Sequence, residues 1–131
     1  MHTNKLILEI FIAIAGIADL CLKPYKYSVV NKSSIQKDTD SLIDDLLIIL
    51  ECRDLNGSRK IENDIEVEIY KSGSDINLTL SLKNNEDYIL WQGEHSLWMN
   101  ASTGKRIARP EDSTKYESLA RRVRVLCDSY T

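Results

Sequence analysis

Few side chains in this sequence are of the types that perform acid–base or nucleophilic catalysis near neutral pH. The histidines are His2, close to the start, and His95, which follows Glu94 in a stretch that predicts a hairpin turn. A histidine beside a carboxylate can serve as a general base, but polar residues are common at hairpin tips without any such role. The sequence also lacks a glycine-rich phosphate loop, a nucleophile elbow and a zinc-protease motif. We therefore expect no enzyme and assign no catalytic residue, although a carboxylate pair assembled by the fold would escape this reasoning.

The cysteines give no sign of a metal centre or of a redox pair. Cys21, Cys52 and Cys127 form no CxxC motif, and none has a histidine at the spacing of a metal-ligand pair. Each lies within or near an apolar stretch, which is typical of buried free thiols in a reducing compartment. We therefore predict no metal, no cofactor and a cytoplasmic location.

Charge is distributed unevenly along the chain. The segment 38–68 contains ten acidic and three basic residues, whereas the segment 105–124 contains seven basic and three acidic residues. A basic strip of this kind can bind phosphate or an acidic partner, although the net charge of −3 argues against general nucleic-acid binding. A solvated surface with internal ion pairs is the simpler interpretation. The candidate anion or nucleic-acid contacts are Lys105, Arg106, Arg109, Arg121, Arg122 and Arg124.

The elements that must position these residues are organised around the stretch 64–101. Its first strand places Ile65, Val67 and Ile69 in alternation with acidic residues, which is the period-two pattern of a strand with one buried face. The same alternation returns after a Ser-Gly turn, and two further short apolar runs follow it. The sequence therefore predicts a four-stranded antiparallel meander.

Three turns set the predicted pairing of these strands. They are centred on Ser72-Gly73, on Asn84-Asn85 and on Glu94-His95. The first places Ile69 opposite Ile76, and the second places Trp91 beside Leu78. The third brings Trp98 directly opposite Trp91, so we expect a cross-strand pair of indoles inside the sheet core.

The opposite face of this meander is predicted to change character from one side to the other. On its first two strands alternation assigns polar residues to that face: Glu66, Glu68, Asn77, Thr79 and Ser81. On its last two strands the same face carries the apolar residues Tyr88, Leu90, Leu97 and Met99. A sheet face that is half apolar must be covered by a helix of the chain, by a second copy or by a partner.

The segment 4–22 predicts a helix that is apolar on nearly all sides. Its narrow polar stripe contains Lys5, Glu9, Gly16 and Asp19, with Ile12 as an apolar intruder. Such a helix belongs in a domain core, because the run is too short and too charged for a membrane span. A signal peptide is the competing interpretation, since a lysine, an apolar run and an Ala-x-Ala triplet occur in order, but Glu9 interrupts the apolar run.

The region between this helix and the meander predicts a polar connection over 25–37 and a second helix over 38–53. The helix would have Asp44 and Asp45 in its first turn, where acidic side chains favour the macrodipole, and an apolar face of leucines and isoleucines. A strand over 46–52 is the alternative, because this run is as apolar as a buried strand.

After the meander, Ile107 extends an edge strand and a C-terminal helix opens at Pro110. A start at Thr114, which could form a capping box with Glu117, is the alternative. The helix carries an apolar stripe at helical spacing from Tyr116 to Cys127, and this stripe is expected to pack on the sheet or on the first helix. The arginines of the same helix point away from the stripe.

These observations predict one α+β domain over 1–131, in which two N-terminal helices and one C-terminal helix pack on a four-stranded antiparallel meander at 64–101. The expected function is a small non-catalytic interaction or regulatory module. It would act as a homodimer or bind a protein partner through Tyr88, Leu90, Leu97 and Met99. Nucleic-acid or anionic-partner binding through the basic C-terminal helix is the alternative, and a small enzyme or ligand carrier is the third class.

Overall fold

The computed structural model of the protein describes residues 2–33, 45–83, 87–92 and 95–130. In this part of the chain the helices are α1 (His2–Cys21) and α2 (Thr114–Asp128). The strands are β1 (Lys26–Asn31), β2 (Asp45–Arg53), β3 (Ile65–Ser72), β4 (Asp75–Leu82), β5 (Asp87–Gln92), β6 (His95–Asn100) and β7 (Arg106–Ile107). A short 3₁₀ helix, Ile61–Asn63, lies in the connection between β2 and β3. The predicted α+β class is confirmed.

The strands form one antiparallel sheet in which each strand pairs with the next one along the chain. Alternation explains why they form: in β3, Ile65, Val67 and Ile69 are buried while the acidic residues between them are exposed. The described sheet has seven strands rather than the predicted four, because β1 and β2 precede the predicted meander and β7 follows it.

Both helices pack on one face of the sheet, which we call the covered face. α1 contacts β1 and α2, and α2 contacts β4 and β5. The core between these layers contains the fully buried side chains of Ile14, Leu119 and Val123 from the helices and of Val67 and Leu80 from the sheet. The apolar stripe predicted for the C-terminal helix is therefore confirmed, although α2 begins at Thr114 and not at Pro110.

The polar stripe predicted for α1 is confirmed in part. Glu9, Gly16 and Ile12 are exposed, and the side chain of Lys5 lies outside the described part of the chain. Asp19 turns to the sheet instead, where its Oδ1 accepts a hydrogen bond of 2.7 Å from the backbone N–H of Tyr27. Within the described ranges, neither helix has the length and hydropathy needed to cross a bilayer.

The second predicted helix is wrong where the structure describes it. Residues 45–53 form β2, which was the alternative interpretation, and residues 38–44 lie outside the described part of the chain. Leu46, Ile48 and Leu50 are buried on the covered face, while Leu47 and Ile49 are half-buried on the other face. An apolar run on both faces of a strand has no clear period, so the pattern could not separate the strand from a helix. The predicted connection over 25–37 likewise contains a strand, β1.

Two predicted registers are each displaced by two residues. Ile69 pairs with Leu78 rather than with Ile76, because the loop consists of Gly73 and Ser74 and Gly73 takes the φ of +63° that suits such a tight turn. A shift of two keeps every side chain on its face. Asn77 keeps its face too, but it is buried there, with 4% of its surface exposed, whereas alternation predicts a solvated side chain.

Of the remaining predicted pairings, one is confirmed and one is displaced by two residues. Trp91 lies beside Leu78 as predicted, although the turn at 84–86 is outside the described residues. Trp98 pairs with Ile89, and Trp91 pairs with Ser96, so the predicted direct pair of indoles is wrong. Both indoles still lie on the covered face, where Trp98 is buried and Trp91 is half-buried. The predicted edge strand at Ile107 is confirmed as β7.

Candidate interaction surfaces

The face of the sheet opposite the helices, which we call the open face, carries an ordered series of side chains. One row across the strands joins Leu47, Glu68, Thr79, Leu90 and Leu97, each paired with the next. The adjacent row joins Ile49, Glu66, Ser81, Tyr88 and Met99 in the same way. The open face therefore runs from an apolar band on β2 through an acidic band on β3 and a hydroxyl band on β4 to an apolar band on β5 and β6.

The four predicted interface residues form the apolar band on β5 and β6. Tyr88 pairs with Met99 and Leu90 pairs with Leu97, so the four side chains make one compact cluster. All four are half-buried rather than covered, and the acidic side chains of Glu66 and Glu68 nearby are exposed. The structure thus brings the predicted residues together on one surface, and their role in binding stays a prediction.

A pocket of about 520 Å³ lies between the open face and the connection that joins β2 to β3. One wall of this pocket is formed by Arg59 and Asp64 of the connection. The two terminal nitrogens of the Arg59 guanidinium each donate to a different carboxylate oxygen of Asp64, both at 2.8 Å. Arg59 also donates to the backbone oxygen of Cys52 at 2.8 Å, and Asp64 accepts from the backbone N–H of Cys52 at 2.8 Å. Two of these four hydrogen bonds tie the connection to β2 at Cys52, and the other two join Arg59 to Asp64 within the connection.

The pKa values of Asp64 and Arg59 are shifted because the two side chains form an ion pair. The Arg59 guanidinium holds the pKa of Asp64 below its ordinary value, the backbone N–H of Cys52 acts in the same direction, and burial opposes both. The same hydrogen bonds raise the pKa of Arg59, so the pair is ionised at neutral pH. Sequence reasoning missed this pair, because two charged residues five positions apart in a loop show no periodic pattern.

The predicted basic residues are divided by the structure into two sets. Three are bound to groups of the same chain: Arg124 donates to the oxygen of Ile76 and lies over the Trp91 ring, Arg122 donates to Ser118, and Arg109 pairs with Glu117. The other three, Lys105, Arg106 and Arg121, are exposed. The six residues therefore do not form one uniform strip.

Glu117, in the first turn of α2, accepts hydrogen bonds from β6 and from the segment that follows β7. Its two carboxylate oxygens accept from Trp98 Nε1 at 2.7 Å and from Arg109 at 3.1 Å. A cavity of about 540 Å³ on one side of Glu117 reaches Arg106, and a cavity of about 320 Å³ on the other side reaches Arg121. Ser96 and Glu117 line both cavities, so the two adjoin.

The cysteines are free thiols, as predicted. Cys52 and Cys127 are fully buried, whereas Cys21 is half-buried near Ser118. Burial raises the pKa of Cys127 to about 12 and raises that of Cys52 as well, so both are protonated at neutral pH. Within the described ranges, no three metal-ligating side chains come together.

A comparison with protein families matches residues 11–126 to a Domain of unknown function, DUF8659. The chain belongs to this family. Neither the curated proteins nor the solved structures gave a match.

The matched range of the DUF8659 domain begins within α1 and ends near the last turn of α2. It therefore includes the second half of α1, all seven described strands, most of α2 and the surfaces built on them. The family description itself gives no activity, so the function must be argued from these surfaces.

Proposed function

We propose that this DUF8659 domain is a small non-catalytic interaction module that forms a homodimer through its open face. The observation that carries the proposal is the cluster of Tyr88, Leu90, Leu97 and Met99, four apolar side chains that remain half-exposed on a sheet face opposite both described helices. Contiguous apolar surface of this kind is typical of protein interaction sites. Two sheets can pack face to face when their inner side chains interdigitate.

The order of the bands favours a second copy of the chain as the occupant. A two-fold axis parallel to the strands, placed between β3 and β4, would lay β2 of one copy over β5 of the other and β3 over β4. Leu47 and Ile49 would then meet the apolar band, and the carboxylates of Glu66 and Glu68 would meet the hydroxyls on β4. The open face is thus complementary to itself in this arrangement, as an isologous interface requires.

The acidic band excludes the other simple arrangement. An axis perpendicular to the strands would lay β3 of one copy over β3 of the other, so that Glu66 and Glu68 would face their own counterparts. Like charges that face each other across an interface cost several kcal/mol. The charge order therefore selects the axis that runs along the strands.

The first test is the molecular mass in solution. Multi-angle light scattering over a concentration series should show a dimer for the wild type and a monomer for the double variant Leu90→Glu with Met99→Glu, with unchanged far-ultraviolet circular dichroism. The matched control is Ile12→Glu with Val125→Glu, since these apolar residues are 73% and 60% exposed on the helices. A monomeric wild type would contradict the proposal, and so would a control variant that dissociates.

The second test addresses the axis. In the proposed arrangement Glu68 of one copy lies over Thr79 of the other. The double variant Glu68→Cys with Thr79→Cys should therefore form disulfide-linked dimers on mild oxidation, whereas Thr79→Cys alone should form few. Equal cross-linking of the single variant would exclude this axis.

Binding of nucleic acid along the whole set of basic residues is the less favoured function. Three of the six predicted residues are bound within the chain, and the two indoles offer little surface for stacking, since Trp98 is 5% exposed and Arg124 lies over Trp91. Nucleic-acid binders without sequence preference rely on free cations and accessible aromatic rings. Retention on DNA or RNA at low salt, lost in Arg121→Glu with Arg122→Glu, would reverse this ranking.

A further inference from the structure

The outer edge of β6 is only partly paired. β7 is two residues long and pairs with Trp98 and Met99 alone. Beyond Ile107 the chain leaves the sheet through Ala108 and Arg109, and Pro110 follows, which has no backbone N–H to donate. No described strand therefore covers the first half of this edge.

The backbone groups of Ser96 point out of this uncovered edge. Asn100 donates its N–H to the oxygen of Lys105 at 2.9 Å, which shows that Asn100 directs its hydrogen-bonding groups to the β7 side. In an antiparallel strand every second residue directs N–H and C=O to the same edge. Trp98 and Ser96 therefore face that side too, and Ser96 is exposed with no described strand opposite it. Unpaired backbone groups at a sheet edge are a template for another strand.

A cavity lies at the place that such a strand would occupy. The cavity of about 540 Å³ has Ser96, Leu97 and Trp98 of β6 on one side and the segment 106–109 on the other. Its volume falls within the range of ligand sites, roughly 300–1,000 Å³. It continues past Ser96 into the adjoining cavity, which Trp91 and Arg121 line.

The charges around the two cavities are mainly positive. Arg106 and Arg121 are exposed, and 61% of the Arg109 side chain is accessible. The one carboxylate shared by both linings, Glu117, already accepts from Trp98 and Arg109. An incoming segment would thus meet three guanidinium groups and a single occupied carboxylate, which favours acidic side chains.

We propose that the β6 edge at Ser96 binds a short, extended, acidic segment of a partner protein, which pairs with Ser96 as an added strand in line with β7. The backbone hydrogen bonds would supply affinity, and Arg106, Arg109 and Arg121 would select for acidic side chains. The site uses the backbone edge of β6 rather than the open face, and Leu97 is the one residue of the described cavity lining that also belongs to the apolar band of the dimer proposal.

The binding test uses fluorescein-labelled octapeptides and fluorescence anisotropy. The probes are a peptide of alternating glutamate and valine, the same peptide with lysine in place of glutamate, and the acidic peptide with alternate backbone nitrogens methylated. The acidic peptide should bind the wild-type domain, and the other two should bind at least tenfold more weakly. Absence of binding by the acidic peptide, or equal binding of its methylated form, would overturn the proposal.

Two further measurements separate strand addition from attraction between charges alone. Arg106→Glu with Arg121→Glu should weaken the acidic peptide at least tenfold, whereas Lys26→Glu with Lys71→Glu, the same change of charge on exposed residues of β1 and β3, should not. Hydrogen exchange of the Ser96 amide should slow at least tenfold when the acidic peptide is bound. An unchanged Ser96 exchange rate, or equal weakening by both variants, would overturn the proposal.

Discussion

The two faces of the sheet are built from the same strands by the same alternation, yet they differ in what they contribute. On the covered face, Val67, Leu78 and Leu80 have no exposed surface and pack under two helices. On the open face, the residues one position along the chain, such as Glu68 and Leu90, are exposed or half-buried. Burial of apolar surface stabilises the fold in proportion to the area removed from water. The covered face therefore contributes most of the stability of the domain, while the open face contributes less.

The largest difference should appear when the same substitution is made on both faces. Leu80→Ala empties a fully buried site and should reduce the free energy of unfolding by about 2–5 kcal/mol. Leu90→Ala should reduce it by about 1 kcal/mol, since a half-buried leucine loses only part of its transfer free energy. Urea unfolding at a protein concentration that keeps the chain monomeric measures both values. Equal losses would show that the open face is also packed.

The next largest effect should come from the Arg59–Asp64 pair at the border of the open face. Only 9% of the Asp64 side chain is exposed, so Arg59→Leu leaves a buried carboxylate without its main partner. The expected loss of unfolding free energy is about 1.5–3 kcal/mol. The matched control is Lys60→Leu, since the atoms of the neighbouring Lys60–Asp54 pair are 4.0 Å apart and its side chains are 40% and 26% accessible, so it should contribute less than about 1 kcal/mol. An equal loss of unfolding free energy in Lys60→Leu would show that the Arg59–Asp64 pair contributes no more than the Lys60–Asp54 pair.

The same pair predicts a dependence on pH. Because Arg59 lowers the pKa of Asp64 in the folded state, the stabilisation is complete above the unfolded value, roughly 3.9 for an aspartate, and is lost as the pH falls through the folded value. The difference in melting temperature between the wild type and Asp64→Asn should therefore be constant from pH 7 to pH 5 and should shrink in more acidic solution. A constant difference down to pH 2 would contradict this.

The smallest effect should come from the polar contact at the rim of the covered face. Trp98→Phe removes the indole N–H that donates to Glu117, and the lost hydrogen bond should reduce the free energy of unfolding by about 0.5–1.5 kcal/mol, in addition to the loss from the smaller buried ring. Glu117→Gln keeps an acceptor for the indole but removes the charge, so its effect should be smaller. Chemical unfolding followed by circular dichroism measures both. A Trp98→Phe variant with the unfolding free energy of the wild type would contradict a contribution from the hydrogen bond between Trp98 and Glu117.

The sequence predicts which face of the sheet each side chain occupies, but it predicts the pairing of residues across strands less accurately, and the reason is physical. Alternation of Ile65, Val67 and Ile69 states which side chains are buried, but a shift of two residues preserves that pattern. The pairing of Ile69 and the partner of Trp98 were therefore each displaced by two, while the apolar cluster on β5 and β6 was placed on its correct face. The pattern of β2 favours a helix because Leu47 and Ile49 make the second face of the strand apolar as well.

The surfaces were predicted to a lesser extent than the fold. The four residues of the apolar band could be found because each occupies an alternate position in a strand. The Arg59–Asp64 pair and the uncovered edge at Ser96 depend on which segments meet in three dimensions, and no local pattern encodes that. The basic residues show the same limit, since Arg121 and Arg124 lie one turn apart on α2 and yet only Arg124 donates to the backbone oxygen of Ile76 on β4.

The simple order of the strands has a consequence for how the chain reaches its structure. Because every described strand pairs with its neighbour in sequence, the sheet can grow hairpin by hairpin without a crossover connection. Contact between α1 and α2 joins the most distant parts of the described chain, on the one face of the sheet that both helices cover. Low contact order is associated with fast folding among small domains. We therefore expect the strands to assemble first and the two helices to close over them in the final step.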